Sequence, residues 1–338
     1  MSKKRILIIY TGGTIGMCHT DSGYAPVPGF LAEAISHIED MRSEHAPEWE
    51  LYEMSPLLDS SDMTVKEWNS IAGIIYDNYR SFDGFVVLHG TDTMAYTASA
   101  LSFILEGLDK PVILTGSQIP LSELRSDGRD NLVTSLLIAA DGVAREVCLY
   151  FSGKLLRGNR AVKMSADKLV AFDSPNYPHL ADAGISIRYN YAAIRNYPEG
   201  VFGFRPLSNV PIGVLKIFPG IQFGLFETIM TEKLSGVVLE TFGAGNIPSY
   251  GGELIPIISR AFESGSVVTV CSQCPSGTVT LGAYETSSAL KRAGAVSAYD
   301  MTTEAAVAKL YYLLSLGIPV EKVKERMEQN LRGELTPA

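Results

Sequence analysis

Short apolar runs alternate with helical spacing along the first half of the chain. The runs are "RILIIY" near the start, "FDGFVVLHG" (82–90), "KPVILTG" (110–116) and "EVCLYFSG" (146–153). Each is nearly continuous in apolar character, the pattern of a strand covered on both faces in a parallel sheet. Between the second and third, Ala98, Leu101, Leu105 and Leu108 fall on one face of a helix over 93–108. Strand, helix and strand in succession make a βαβ unit. Upstream, Thr64 and Glu67 have the spacing of a capping box and predict a helix over "VKEWNSIAGIIYDNY".

The alternation lapses over 189–210, where prolines, glycines and aromatics follow no period, and this stretch reads as an interdomain linker. Strands resume in "PIGVLKIF", "SGVVLETFG" and "SVVTVCSQC". Two helices are expected at the end, near 302–316 and 319–331, with Ala305, Ala308, Tyr312 and Leu316 at helical intervals. The expected fold class is α/β, with two α/β domains built on mainly parallel sheets. The larger, Rossmann-like or flavodoxin-like N-terminal domain covers 1–188 and the smaller C-terminal domain 211–338.

Composition narrows the function classes. With 338 residues, 46% of them hydrophobic and 19% charged, the chain has material for two packed cores. A net charge of −9 without a basic stripe argues against nucleic acid and against anionic membrane surfaces. No apolar stretch reaches the ~20 residues of a membrane span. The basic, apolar start resembles a signal peptide, but Gly12 and Gly13 end it before any cleavage pattern. Four scattered cysteines are too few for a disulfide scaffold. A soluble cytoplasmic protein is expected.

Three strand ends of the first half offer glycine beside a hydroxyl: Thr11-Gly12-Gly13-Thr14, His89-Gly90-Thr91-Asp92 and Thr115-Gly116-Ser117. Ligands of open parallel sheets sit outside the carboxyl ends of the strands, so these ends are candidates for one pocket. Each also has a plain reading as a turn, and Asp92 as a helix N-cap. The spacing fits neither the dinucleotide-binding glycine pattern nor a phosphate-binding loop. "LLDSSDMT" (57–64) adds Asp59, Ser60 and Ser61. Lys163, in "RGNRAVKMSADK", is an ordinary surface lysine by default; buried beside hydroxyls it would become a usable base.

The ordered set "TGGTI", "DSSDM", "HGTDTMAYTASAL", "PVILTGSQIP", "GNRAVK" and the ending "NLRGELTP" resembles the bacterial-type L-asparaginases, in particular the cytoplasmic type I branch. The likeness runs over essentially the whole chain. It implies an amidohydrolase that converts L-asparagine to L-aspartate and ammonia, with no cofactor and no metal, working as a homodimer or homotetramer. By the same resemblance Thr14 is the nucleophile and Tyr24 closes over it from a mobile lid, "CHTDSGYAPVPGF" (18–30). Thr91, Asp92 and Lys163 form a second catalytic set. Asp59, Ser60 and Ser61, with Thr91 and Asp92, hold the amino-acid end of the substrate.

In some members of that family a neighbouring subunit adds an asparagine and a glutamate. Here Asn246 is followed by Pro248, and Glu285 lies near the place of the glutamate, so the partner of Tyr24 is open. The strand ends of the second domain, at Glu240, Thr241, Ser272 and Cys274, are a candidate allosteric pocket by the same strand-end rule. Cys271 and Cys274 form a Cys-x-x-Cys without the second pair a zinc site needs. Two rival readings are an amino-acid sensor on the same scaffold and a deamidating subunit of an amidotransferase.

Overall fold

The apolar runs become strands and the helical spacings become helices. The structure, a computed structural model, describes residues 3–21, 23–195, 200–248, 252–282 and 285–336. The chain divides into two units, Met1–Pro206 and Leu207–Ala338. Of the stretch expected as a linker, 196–199 lie outside the described residues.

The first unit holds strands β1 (Arg5–Gly12), β2 (Met17–Thr20), β3 (Gly23–Pro26), β4 (Glu48–Leu58), β5 (Gly84–Leu88), β6 (Leu105–Glu106) and β7 (Val112–Thr115). It continues with β8 (Val147–Phe151), β9 (Lys154–Arg157), β10 (Val162–Lys163), β11 (Phe172–Asp173), β12 (Ala181–Ala183), β13 (Ile187–Tyr189) and β14 (Gly203–Phe204). Its helices are α1 (Phe30–Ser36), α2 (Val65–Asn78), α3 (Met94–Ile104) and α4 (Gly128–Asp141).

Five strands run parallel in the order β4-β1-β5-β7-β8. Counted along the chain that is 2-1-3-4-5, a doubly wound sheet whose order reverses between β1 and β5. Strands β9, β12 and β13 extend it antiparallel. Ile6, Ile8, Val86, Leu88, Ile113, Leu132 and Leu136 are buried in one core cluster, to which α4 contributes the two leucines. Helix α2 carries the expected capping box, with Thr64 and Glu67 each satisfying the other's backbone, and buries Val65, Trp68, Ile71, Ala72 and Ile75.

Two elements differ from the sequence expectation. Helix α3 stops at Ile104 rather than Leu108, because Leu105 and Glu106 pair with Phe204 and Gly203 instead. The stretch 18–30 is largely a β-hairpin, in which His19 faces Tyr24 and Cys18 faces Ala25, rather than an irregular loop. Period-2 spacing is hard to see in strands of four residues with a polar tip.

The second unit has four parallel strands side by side: β15 (Ile212–Lys216), β16 (Gly236–Thr241), β17 (Val267–Ser272) and β18 (Val296–Ser297). Its helices are α5 (Leu254–Glu263), α6 (Glu285–Arg292), α7 (Thr303–Ser315) and α8 (Val320–Met327). Val237, Leu239, Val268 and Val270 pack with Leu254, Ile257 and Ile258. Helix α8 ends at Met327, earlier than the sequence suggests. The buried Lys309 amine donates to the carbonyls of Met327 and Gln329 at 2.9 and 2.5 Å and pairs with Glu334 at 2.6 Å. The backbone there turns to meet the lysine instead of continuing the helix. Among the described residues no helix is long and apolar enough to cross a membrane.

Candidate active site

The site is built where β1 and β5 leave the sheet, at the reversal of strand order. Gly13 has φ 87°, and a Cβ there would stand 2.4 Å from the Cα of Gly90. Only glycine lets the exit of β1 lie directly on the exit of β5. The chain then enters a single 3-10 turn, Thr14–Gly16. The Thr14 hydroxyl makes no hydrogen bond to any other described residue and faces the same space as the β5 exit.

A buried chain of hydrogen bonds fixes that second exit. His89 is fully buried; its Nδ1 lies 2.7 Å from the Gly90 carbonyl and its Nε2 2.9 Å from Thr97 Oγ1. Trp68 Nε1 donates to the same threonine oxygen at 3.0 Å. A carbonyl only accepts and an indole N–H only donates, so one polarity satisfies all three contacts. Trp68 donates to Thr97, Thr97 to His89 Nε2, and His89 Nδ1–H to Gly90. Burial pushes the imidazole from 6.5 down to about 4, against the pull of the Gly90 carbonyl, so the ring is neutral at physiological pH.

Asp92 does not cap α3. The N-cap is Thr93, whose hydroxyl instead donates to the Ser60 carbonyl at 2.6 Å. The Asp92 carboxylate accepts from Lys163 Nζ at 2.6 Å, and the same amine donates to Thr91 Oγ1 at 2.8 Å. Lys163 reaches them from β10, where it pairs with Phe172 of β11. Its side chain is 19% exposed and that of Asp92 67%, so the aspartate keeps a face open to a ligand.

Ser60 is buried, while Asp59 Oδ1 accepts from the backbone N–H and the hydroxyl of Ser61, each at 2.9 Å. Part of the "DSSD" cluster is thus a local cap of the turn Ser60–Asp62. Thr14, Asp59, Ser60, Thr91, Asp92 and Lys163 line one cavity of about 210 Å³, together with Gly13, Met17, Gly90, Gln118 and Ala166. Ser61 and Tyr24 are not in that lining. Tyr24 is half exposed on β3, with its hydroxyl donating to Glu123 at 2.8 Å. That hydrogen bond holds the phenol above its ordinary range.

Sequence reasoning missed Gln118 and Glu123 as members of this neighbourhood, and it read His89 only as part of a strand end, without its buried hydrogen-bond chain. Gln118 sits inside the quoted "TGSQIP", one residue beyond the hydroxyl that drew notice. Glu123 is 99 residues from Tyr24 and no local pattern joins them.

In the second unit, Glu240 faces Cys271 and Thr241 faces Ser272 across β16 and β17. Thr241 is buried and donates to the Cys271 carbonyl at 3.1 Å, so its hydroxyl is turned into the sheet. Glu240 accepts from Thr303 Oγ1 at 2.6 Å, and Ser272 Oγ accepts from the Cys274 N–H at 3.0 Å. Asn246 bridges to Phe242, and Glu285 opens α6. Cys271 is buried and Cys274 exposed. Among the described residues no group of three or more His, Cys, Asp or Glu is arranged to hold a metal ion.

Comparison with known proteins agrees with this architecture. Residues 5–195 match the family model "Asparaginase, N-terminal" and residues 211–327 the model "Glutaminase/Asparaginase C-terminal domain". The chain is 46% identical to L-asparaginase 1 of Escherichia coli K12 over 337 residues, covering 100% of this chain and 99% of the relative. The crystal structure of L-asparaginase I from Vibrio cholerae superposes with a TM-score of 0.91 at 46% identity, over 99% of this chain and 100% of that one. The thermostable L-asparaginase from Thermococcus kodakarensis gives 0.90 at 31% identity, over 99% and 100%. The chain belongs to the asparaginase family.

Proposed function

We propose that the protein hydrolyses the side-chain amide of L-asparagine to L-aspartate and ammonia. The observation that carries this reading is the convergence of Thr14, Thr91, Asp92 and Lys163 on one polar cavity at the switch point of the sheet. Its size, about 210 Å³, suits a small amino acid.

In this reading Thr14 Oγ bonds to the amide carbon and the carbonyl electrons move to oxygen. The intermediate collapses, the C–N bond breaks, and the threonine proton leaves with the nitrogen as ammonia. Water then adds to the aspartyl ester and returns a proton to Thr14 Oγ as aspartate departs. Among the described residues nothing hydrogen-bonds the Thr14 hydroxyl, which leaves it available as a nucleophile. The Thr91–Lys163 pair is the proton-handling group within the same cavity. The open side of Asp92 receives the substrate α-ammonium by a charge-assisted hydrogen bond. Asp59 and Ser60 frame the amino-acid end, and Tyr24, poised on the hairpin, closes over Thr14 when substrate is bound.

The test is release of ammonia and aspartate from L-asparagine, with L-glutamine in parallel. Stoichiometric product from the wild-type protein, lost in Thr14→Ala while asparagine binding stays detectable by calorimetry, supports the reading. Binding without product in the wild-type protein rejects it.

A further inference from the structure

Gln118 lines the cavity but belongs to none of the roles above. Its backbone N–H and that of Ile119 donate to Asp127 at 3.0 to 3.1 Å, which fixes the turn after β7. Its side-chain Nε2 donates to the carbonyls of Ala166 and Lys168 at 3.3 and 3.2 Å. Its Oε1 accepts from Thr91 Oγ1 at 3.0 Å.

The amide has only one workable orientation. Turned over, it would set its oxygen against two carbonyl oxygens and its NH₂ against Thr91. Thr91 is therefore held between a pure acceptor, Gln118 Oε1, and a donating amine, Lys163 Nζ. Its proton points to Gln118, and its oxygen lone pairs point to Lys163. In this arrangement Thr91 does not hand its proton to the lysine; the proton must first turn away from Gln118.

We infer that Gln118 is a positioning residue for the reaction: it sets the hydrogen-bond polarity of the Thr91–Lys163 pair and thereby the rotamer in which Thr91 meets the incoming reactant. It also ties the 165–168 loop, which brings Ala166 into the lining, to the end of β7. The inference rests on the hydrolytic reading of the same cavity. Gln118 acts through Thr91, so its loss falls on turnover rather than on ground-state binding.

The experiment compares wild type, Gln118→Met and Gln118→Glu by ammonia release from L-asparagine across pH. Methionine keeps the length and loses every side-chain hydrogen bond. Glutamate keeps the acceptor for Thr91 and adds a negative charge beside Lys163, but it loses both donors to the Ala166 and Lys168 carbonyls and so releases the 165–168 loop. The expected result for Gln118→Met is a kcat lower by roughly tenfold to hundredfold with KM changed less than about threefold. Gln118→Glu is expected to retain more kcat than Gln118→Met and to move the acid limb of its pH–rate profile upward.

A Gln118→Met enzyme with wild-type kcat overturns the inference. So do two variants equally impaired with profiles of wild-type shape, which marks a prop for the loop alone. Should Gln118→Met fail to fold, a Gln118→Glu profile superimposable on wild type overturns it by itself. A wild-type protein that releases no ammonia overturns the hydrolytic reading instead, so the two failures are distinct.

Discussion

His89 makes the β5 exit sensitive to acid. The folded ring is buried as the neutral tautomer and titrates near 4, whereas an unfolded histidine titrates near 6.5. Between those values the unfolded chain takes up a proton that the folded chain refuses, so stability falls as pH falls. The contribution is fully present above pH 6.5 and is lost on the way down to 4. Integrating the two titrations gives a loss of about 1 kcal/mol by about pH 5.5 and about 3 kcal/mol by about pH 4, relative to neutral pH. Other groups titrate over the same range, so the comparison is with His89→Gln. Glutamine offers one donor for the Gly90 carbonyl and one acceptor for Thr97, and does not titrate. Urea unfolding of both proteins at about pH 7, 5.5 and 4 gives the difference in slope. The wild-type protein should lose about 3 kcal/mol more than the variant by the most acid point. Parallel slopes would refute the burial of a neutral imidazole at this position.

Other consequences are equally open to measurement. Gly13→Ala sets a methyl group against the Gly90 backbone at a positive φ; we expect destabilisation of roughly 1–3 kcal/mol by thermal melting and turnover lower by more than about a hundredfold. Unchanged kcat would remove the close approach of β1 and β5 from the account. Lys163→Met should reduce kcat by at least about a hundredfold at every pH, and a mild effect would make the lysine a bystander. Glu123→Gln weakens the hydrogen bond that holds the Tyr24 phenol up and removes the charge beside it, so ring-carbon NMR should show this tyrosine titrating at lower pH; an unmoved resonance would separate the pair. Lys309→Met strands the buried Glu334 carboxylate and should cost about 3–5 kcal/mol in urea unfolding, whereas Lys309→Met with Glu334→Leu should recover much of it.

The first half of the fold is legible in the sequence because its strands are buried on both faces and its helices carry local signals. The strand "GFVVL" from Gly84 to Leu88 contains no polar side chain, and Thr64 and Glu67 cap each other within one turn. Thr14, Thr91 and Asp92 are legible as hydroxyls and an acid at strand ends, whereas Lys163 reads by default as a surface lysine and stands out only through the family resemblance. What the sequence lacks is direction. Nothing local says that Asp92 turns to Lys163 rather than capping α3, or that Ser61 turns back on Asp59. Gln118 is invisible because its role comes from three partners at separations of 27, 48 and 50 residues. The ends of α3 and α8 escape sequence reasoning because pairing by Gly203 and the buried Lys309 override helical propensity.

The identity of the attacking oxygen is decided by acid-quenching the wild-type protein during turnover of L-asparagine and mapping the covalent adduct by mass spectrometry. A mass increase of one aspartyl group is expected on the peptide that contains Thr14, absent from Thr14→Ala. An adduct on the Thr91 peptide, or one that survives in Thr14→Ala, would contradict Thr14 as the nucleophile.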